Sequence, residues 1–340
     1  MDIRKFSSKS FSLQKTDEER IRYLLKYAVL APSTHNSQPW LFRIKENICE
    51  IYLNKEKKIP HADPTGRDMY ISLGCCIENF IIAAKYFGVF DNLELVMKRD
   101  LIAKITINGR VSKSKNKEKL SKITKTIINR QNKRGSYSKN FIPRILLNKI
   151  YKIANDYKGV HVMININRET ITEVSRLTGR SVSDSYKKPK FRQEIIRWFI
   201  GNNSLKKEGL PGYSLLLPNI ISKIFPIMIN KINLGPLISF MTTKKMNTSR
   251  ALFIFSSKND TKEDWVMVGR FAERAMLELQ EKKLSTSIYV AAIEGSKKYR
   301  KELKKILNLD GRPQFLFVAG YMNSKIKHTP RYNVEEKIVN

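Results

Sequence analysis

The run Ala31-Pro32-Ser33-Thr34-His35-Asn36-Ser37-Gln38-Pro39-Trp40-Leu41-Phe42 gathers short polar side chains between two prolines. Ser33 and Thr34 offer hydroxyls and Asn36 and Gln38 offer amides, groups suited to short contacts with a small polar ligand, while Trp40 anchors the chain that follows. An ordinary Asx- and Ser-rich turn accounts for Ser33, Thr34 and Asn36, but does not require Gln38-Pro39-Trp40. A second concentration, Arg130-Gln131-Asn132-Lys133-Arg134, sets two guanidinium groups four residues apart. Guanidinium is permanently charged and presents a fork of donors to phosphate oxygens, although a basic stretch among 64 Lys and Arg residues also suits solvated surface. Near the C-terminus, Ala291-Ala292-Ile293-Glu294-Gly295 brings a glycine where backbone could approach a ligand closely; a strand-to-helix turn with Ser296 as N-cap reads equally well. Thr329-Pro330-Arg331 adds one more guanidinium. No nucleophile triad, carboxylate dyad or metal cluster stands out, and no side chain is expected to be catalytic. Cys49, Cys75 and Cys76 lack CxxC spacing, so they read as buried thiols in a reducing compartment, with neither disulfides nor zinc.

These residues must be held by regular elements. Apolar spacing over 18–31 predicts a helix stopped by Pro32; Trp40–Ile44 and Cys49–Leu53 alternate as a hairpin around Lys45-Glu46-Asn47. A long helix over Met69–Phe87 ends at Gly88, and strands follow near 93–98 and 102–107. The Lys/Ser-rich stretch 112–125 reads as a linker between a first part, 1–111, and a second, 126–340. In the second part we expect helices near 144–157, 189–200, 264–282 and 296–307, with strands at 160–166, 252–256, 286–292 and 314–320. Mixed hairpins and crossovers favour an α+β sandwich over a doubly wound sheet. The helix carrying Gly74 and Glu78 also resembles the one carrying Gly269 and Glu273, 195 residues later, a separation suited to a duplicated domain.

The loop 31–42 resembles the APSxxNxQPWxF signature of the nitroreductase superfamily of FMN proteins. Arg130-Gln131-Asn132-Lys133-Arg134 is similar to its RxSxR element with Asn in place of Ser, Ile293-Glu294-Gly295 to its PIEG-like turn, and Pro330-Arg331 to its terminal motif. With Glu194-x-x-x-Trp198 and the turn at Gly209, the likeness is nearest to the double-length, Acg-like branch and spans about 18 to 335. The resemblance implies an FMN-binding α+β sandwich duplicated within one chain as an intramolecular pseudo-dimer. It implies that Arg130 and Arg331 hold the FMN phosphate, Arg134 lies near N1 and the C2 carbonyl, and the backbone of 293–295 faces N5 and O4, with Ser33, Thr34, Asn36, Gln38 and Asn132 as further contacts. The 31–42 loop occurs only in the first part and the other motifs only in the second, so one FMN per chain is expected. The implied activity is hydride transfer from NAD(P)H to flavin N5, then two-electron reduction of a quinone-like or nitroaromatic acceptor. A non-catalytic flavin holder is the alternative.

With 64 Lys and Arg against 31 Asp and Glu, the net charge is +33. The basic residues are scattered over every segment, which favours a solvated surface and leaves nucleic acid or an anionic membrane surface as a lesser reading. The N-terminus lacks an apolar signal, so a cytoplasmic location is expected, as a monomer or non-obligate dimer. Residues 209–241 are apolar but broken by Pro211, Pro218, Pro226 and Pro236, too interrupted to span a bilayer. A lid insertion over the mouth of the ligand pocket is the expectation for 209–241, with a core insertion or an interfacial segment as the alternatives.

Overall fold

The computed structural model describes residues 3–4, 6–109, 117–323 and 326–340. The first helix, α1 (Asp17–Ala28), starts on a capping box in which Thr16 Oγ1 accepts from the Glu19 amide and Glu19 returns a carboxylate to the Thr16 amide. The hairpin β1 (Trp40–Lys45) and β2 (Ile48–Leu53) pairs Trp40 with Leu53 and turns its inward positions, Trp40 and Phe42, into the core. The long helix α2 (Arg67–Phe87) ends at Gly88, whose φ of 74° is the left-handed C-cap that glycine adopts without strain. Strands β3 (Phe90–Lys98) and β4 (Leu101–Ile107) complete an antiparallel sheet of order β1-β2-β4-β3.

The expected linker is partly replaced by structure. Residues 112–116 lie outside the described residues, but 117–125 fall within a helix, α3 (Lys117–Asn129). Its Leu120, Ile123, Thr124 and Ile127 recur at helical spacing and are buried, and it packs on α2.

The second part begins with α4 (Arg144–Ala154) and β5 (Val160–Asn165). A block follows that the sequence pattern left largely unassigned: α5 (Arg168–Lys187), α6 (Pro189–Trp198), a two-residue pairing of β6 (Phe199–Ile200) with β7 (Leu210–Pro211), α7 (Asn219–Lys231) and α8 (Gly235–Asn247). Then come β8 (Ala251–Ser257), α9 (Lys262–Glu281), β9 (Ser285–Ile288), α10 (Ala291–Glu294), α11 (Lys297–Ile306) and β10 (Arg312–Gly320). The expected strand 286–292 stops at Ile288 because the chain turns helical at 291. Ser296 precedes α11 but its side chain makes no capping hydrogen bond.

The second sheet runs β5-β8-β10-β9, antiparallel throughout. Numbered within its own part, each sheet has the order 1-2-4-3, and each has its longest buried helix, α2 or α9, between strands two and three. The two helices meet at glycines. A Cβ on Gly74 would stand 2.1 Å from the Val266 carbonyl oxygen, and one on Gly269 would stand 2.0 Å from that of Ile71. Only hydrogen fits at this crossing. One apolar core therefore runs from Trp40 and Ile51 of the first sheet through Phe80 and Phe271 to Phe253 and Phe317 of the second.

Candidate functional site

The loop 31–38 lies where the two parts meet. His35, Asn36 and Gln38 have φ of 52°, 57° and 51°, the left-handed region that residues with a Cβ rarely occupy. Such strain persists only where surroundings enforce it. Here the enforcement comes from distant chain. Gln38, fully buried, donates to the Lys207 carbonyl (2.7 Å) and accepts from the Tyr332 amide (3.0 Å), while its carbonyl accepts from Lys337 Nζ (2.9 Å). Asn36 donates to the Pro330 carbonyl (2.9 Å) and accepts from Arg331. Ser33 Oγ accepts from the Gln38 amide (2.9 Å), closing the loop on itself. In this structure Ser33, Asn36 and Gln38 thus shape the loop.

Behind the loop sits a buried group of guanidiniums. Arg331 donates to the Ala31 carbonyl (3.1 Å) and Arg130 to the adjacent Leu30 carbonyl (3.2 Å). Arg4 reaches the Thr329 carbonyl (3.3 Å), close enough that it and Arg130 both disfavour the charged form of Arg331. Their acidic partner is Glu273 of α9, 3.1 Å from Arg130 Nε. Burial raises the Glu273 carboxyl to about 6 although Arg130 opposes the rise, and burial holds Arg331 well below its usual value. Two buried guanidiniums, Arg130 and Arg331, against one reluctant carboxylate leave an excess of positive charge. Arg130 Nη1 and Arg331 Nε are buried without a hydrogen-bond partner, which is costly unless an anion completes the set. The donor set fits a phosphate, and Arg331 keeps only Nε for it because Nη1 and Nη2 hold the loop.

Arg134 lies within electrostatic reach of His35 in the loop. It makes no hydrogen bond or ion pair among the described residues, and its charge helps to depress His35, which burial lowers to about 4. Tyr289, Tyr186 of α5 and Lys245 of α8 lie within its electrostatic reach. A half-buried, unpaired guanidinium with its charge opposed by burial suits an anionic ligand edge. Asn132 is otherwise engaged: its Oδ1 accepts from the Ile288 amide (3.0 Å), extending the sheet.

The turn 293–295 departs from the expectation. The amides of Ile293 and Glu294 donate to the Val290 carbonyl (2.8 and 2.9 Å) and that of Gly295 to Ala291 (2.8 Å), so this helical turn consumes the donors assigned to a ligand. Gly295 is small for another reason: a Cβ there would lie 2.0 Å from Ser181 Oγ of α5. The Glu294 side chain instead joins a buried acidic group with Asp63 and Asp68, whose oxygens lie within 4.8 Å of one another. Arg67, itself buried, is 3.3 Å from Glu294, and Thr34 donates to Asp68 (2.9 Å). Burial, then the neighbouring carboxylates, raises Asp68 to about 7 and Glu294 well above its usual value. The cation within the cluster is Arg67.

Pattern reasoning missed Arg4, Arg67, Glu273 and Lys337, and no local motif marks them. Glu273 had a signal, as the partner of Glu78 in the repeated Gly-x-x-x-Glu helix. Glu194 of the Glu-x-x-x-Trp helix holds the first part, accepting from the amides of His61 (3.0 Å) and Ala62 (2.7 Å).

No family model matches the chain. The chain is 33% identical over 72 residues to a Mycobacterium tuberculosis protein provisionally named an NAD(P)H nitroreductase, and 30% identical over 74 residues to a second such protein, Acg, from the same organism. These stretches cover 21% and 22% of this chain, and the same shares of the relatives, so the match spans about a fifth of their length. Among solved structures, the FMN- and NADPH-dependent nitroreductase NfnB from Sphingopyxis sp. strain HMH is similar over 63% of this chain and 96% of its own, with 14% identity and a TM-score of 0.43. NfnB from Mycobacterium smegmatis, solved with NADPH, is similar over 64% and 96%, with 12% identity and a TM-score of 0.41. The chain thus has a distant, partial likeness to nitroreductases.

Proposed function

We propose that the protein binds one FMN at the junction of its two parts and is an FMN-dependent NAD(P)H oxidoreductase of nitroreductase type. The carrying observation is the buried excess of guanidinium charge where Arg130 and Arg331 converge behind loop 31–38 on the carboxylate of Glu273, with Arg130 Nη1 and Arg331 Nε left without a hydrogen-bond partner. The motif resemblance and the partial identity to provisionally named nitroreductases support the same reading. When bound, FMN supplies two-electron hydride chemistry at N5, from NAD(P)H to a quinone-like or nitroaromatic acceptor. The chain's own residues do the rest. Arg130 and Arg331 would hold the phosphate, Gln38 and Lys337 keep loop 31–38 in its left-handed turns, and Arg134 would add positive charge for the anionic part of the ring. His35, kept neutral by burial beside Arg134, adds no competing charge.

The equal strand order of the two sheets supports a duplication in which only one copy kept its site. At Glu78, the counterpart of Glu273, Arg270 and the hydroxyl of Tyr157 occupy the carboxylate (3.2 and 2.6 Å), and Tyr157 stacks on Phe271. Aromatic side chain fills that position.

Purified protein should carry flavin that is released as FMN on heating, in a ratio to protein approaching one. Flavin-free protein that takes up no added FMN sinks the proposal. A second reading, a flavin holder without turnover, keeps its place because Tyr186 and Lys245 of the α5–α8 block lie within electrostatic reach of Arg134. Bleaching of the bound flavin by NADPH under argon within seconds selects the enzyme; persistence of the colour for an hour selects the holder.

A further inference from the structure

Helices α7 and α8 each have one covered side and, opposite it, an apolar side that is left exposed. In α7, Ser222, Phe225 and Ile229 are buried against α6, with Phe225 4.9 Å from Phe199. At 3.6 residues per turn, Ile220, Ile224 and Ile227 fall on the far side, and they are 76%, 41% and 59% exposed. In α8, Ser239 and Thr243 press against Gly179 of α5, and the opposite stripe of Leu237, Phe240 and Met241 is exposed. The apolar segment 209–241 was expected to cover something, yet its inward faces suffice for that and its outward faces are left over. Two successive helices with outward aliphatic stripes exceed the scattered apolar surface that soluble proteins ordinarily carry.

Charge identifies the occupant. Between Glu208 and Asp260 the chain has no acidic residue, and Lys223, Lys231 and Lys244 border the stripes. We infer that α7 and α8 dock the protein on an anionic lipid surface, with the Ile and Phe stripes in the acyl–headgroup boundary and the lysines among the phosphates. A helix of this kind lies in the interface plane, and no helix of the described residues is long and apolar enough to cross a membrane. A second copy of the chain is a poor occupant, because two molecules of net charge +33 would meet at a face with no acid to offset the repulsion. Nucleic acid would call for aromatic stacking platforms, whereas the stripes are mainly aliphatic. The inference is independent of the flavin reading.

The test uses the full chain and vesicles of phosphatidylcholine with or without phosphatidylglycerol, read by flotation. The protein should float with phosphatidylglycerol-containing vesicles and remain behind with phosphatidylcholine alone. Ile224→Ser combined with Phe240→Ser alters only exposed side chains, so the melting temperature should hold while vesicle affinity falls about tenfold for each residue. Lys223→Glu with Lys231→Glu and Lys244→Glu should abolish flotation. The same charge change on α11, Lys297→Glu with Lys301→Glu and Lys305→Glu, should leave most of it. Equal loss in the α11 variant reduces the effect to net charge and overturns the docking surface. So does undiminished flotation of the Ile224 and Phe240 variant. Absence of vesicle binding, with self-association relieved by that variant, would assign the face to a second copy instead.

Discussion

At the scale of single residues, the site is a balance of buried charges, and two substitutions expose it. Arg130 is the guanidinium nearest Glu273 and retains an unpartnered Nη1. Arg130→Ala should weaken FMN retention by about 1.5–3 kcal/mol, roughly ten- to a hundredfold, measured by fluorescence as flavin is dialysed out. Arg130→Lys keeps the charge but loses the fork, and should fall between; retention unchanged in both would place the phosphate elsewhere. The acidic group around Arg67 makes a separate statement about pH. Asp68 is raised from 3.8 to about 7 by burial and by Asp63, so between those values the folded chain holds a proton that the unfolded chain releases. Its contribution to stability is therefore retained at acid pH and lost as pH rises from about 4 to 7. Asp68→Asn keeps an acceptor for Thr34 and removes the titration. The melting temperature of that variant should decline less over this window than that of the parent; parallel curves would mean that Asp68 ionises normally.

At the scale of elements, the crossing of α2 and α9 is the tightest constraint. Gly269→Ala would push a methyl into the Ile71 carbonyl and Gly74→Ala one into that of Val266, both backbone atoms that cannot swing aside. Each should cost about 3 kcal/mol, the upper end for overpacking, seen in urea unfolding as a lower midpoint at unchanged slope. Tolerance of alanine at both sites would mean that the helices are not in contact. Both helices were legible in the sequence because their apolar spacing is unbroken, and the hairpin 40–53 was legible because Trp40, Phe42, Cys49 and Ile51 mark its buried face. Helix α5 was not. Its buried face is built from Ser175, Thr178, Gly179 and Ser181 beside Ile171, Val174 and Leu177; Ser175 and Thr178 bond back to carbonyls four residues earlier (2.6 and 2.8 Å). Small polar residues let α8 and the turn at Gly295 approach closely, but they erase the apolar period that pattern reading depends on. Helices α7 and α8 were hidden for another reason: Pro218, Pro226 and Pro236 interrupt a stretch whose outward faces are also apolar. Around the junction, Ser33, Thr34, Asn36, Arg130, Arg134 and Arg331 were singled out by their resemblance to family motifs; type and spacing alone left the arginines equally suited to solvated surface. Arg4 and Lys337 enter only through chain folding back from the two ends.

At the scale of the whole molecule, two sheets of one order joined through one helix crossing make each chain resemble a dimer closed upon itself. The faces of α2 and α9 bury each other within the chain, with Cys75 Sγ donating to the Gly269 carbonyl at 3.3 Å, and their high effective concentration leaves nothing for a second chain to supply there. The loop side of the junction comes from the first part and the guanidiniums of Arg130 and Arg331 from the second, so a single chain contains every residue assigned to the phosphate. Two consequences must hold together. In a buffer without lipid, sedimentation equilibrium at micromolar concentration should give the mass of one chain, 39.5 kDa, and that monomer should retain its flavin at a ratio approaching one. Dilution should not release the flavin in step with any dissociation of assemblies. Flavin lost as a dimer falls apart would mean that the site is shared between chains, and a ratio approaching two would mean that the junction at Glu78 and Tyr157 also binds; either result would break the closed pseudo-dimer.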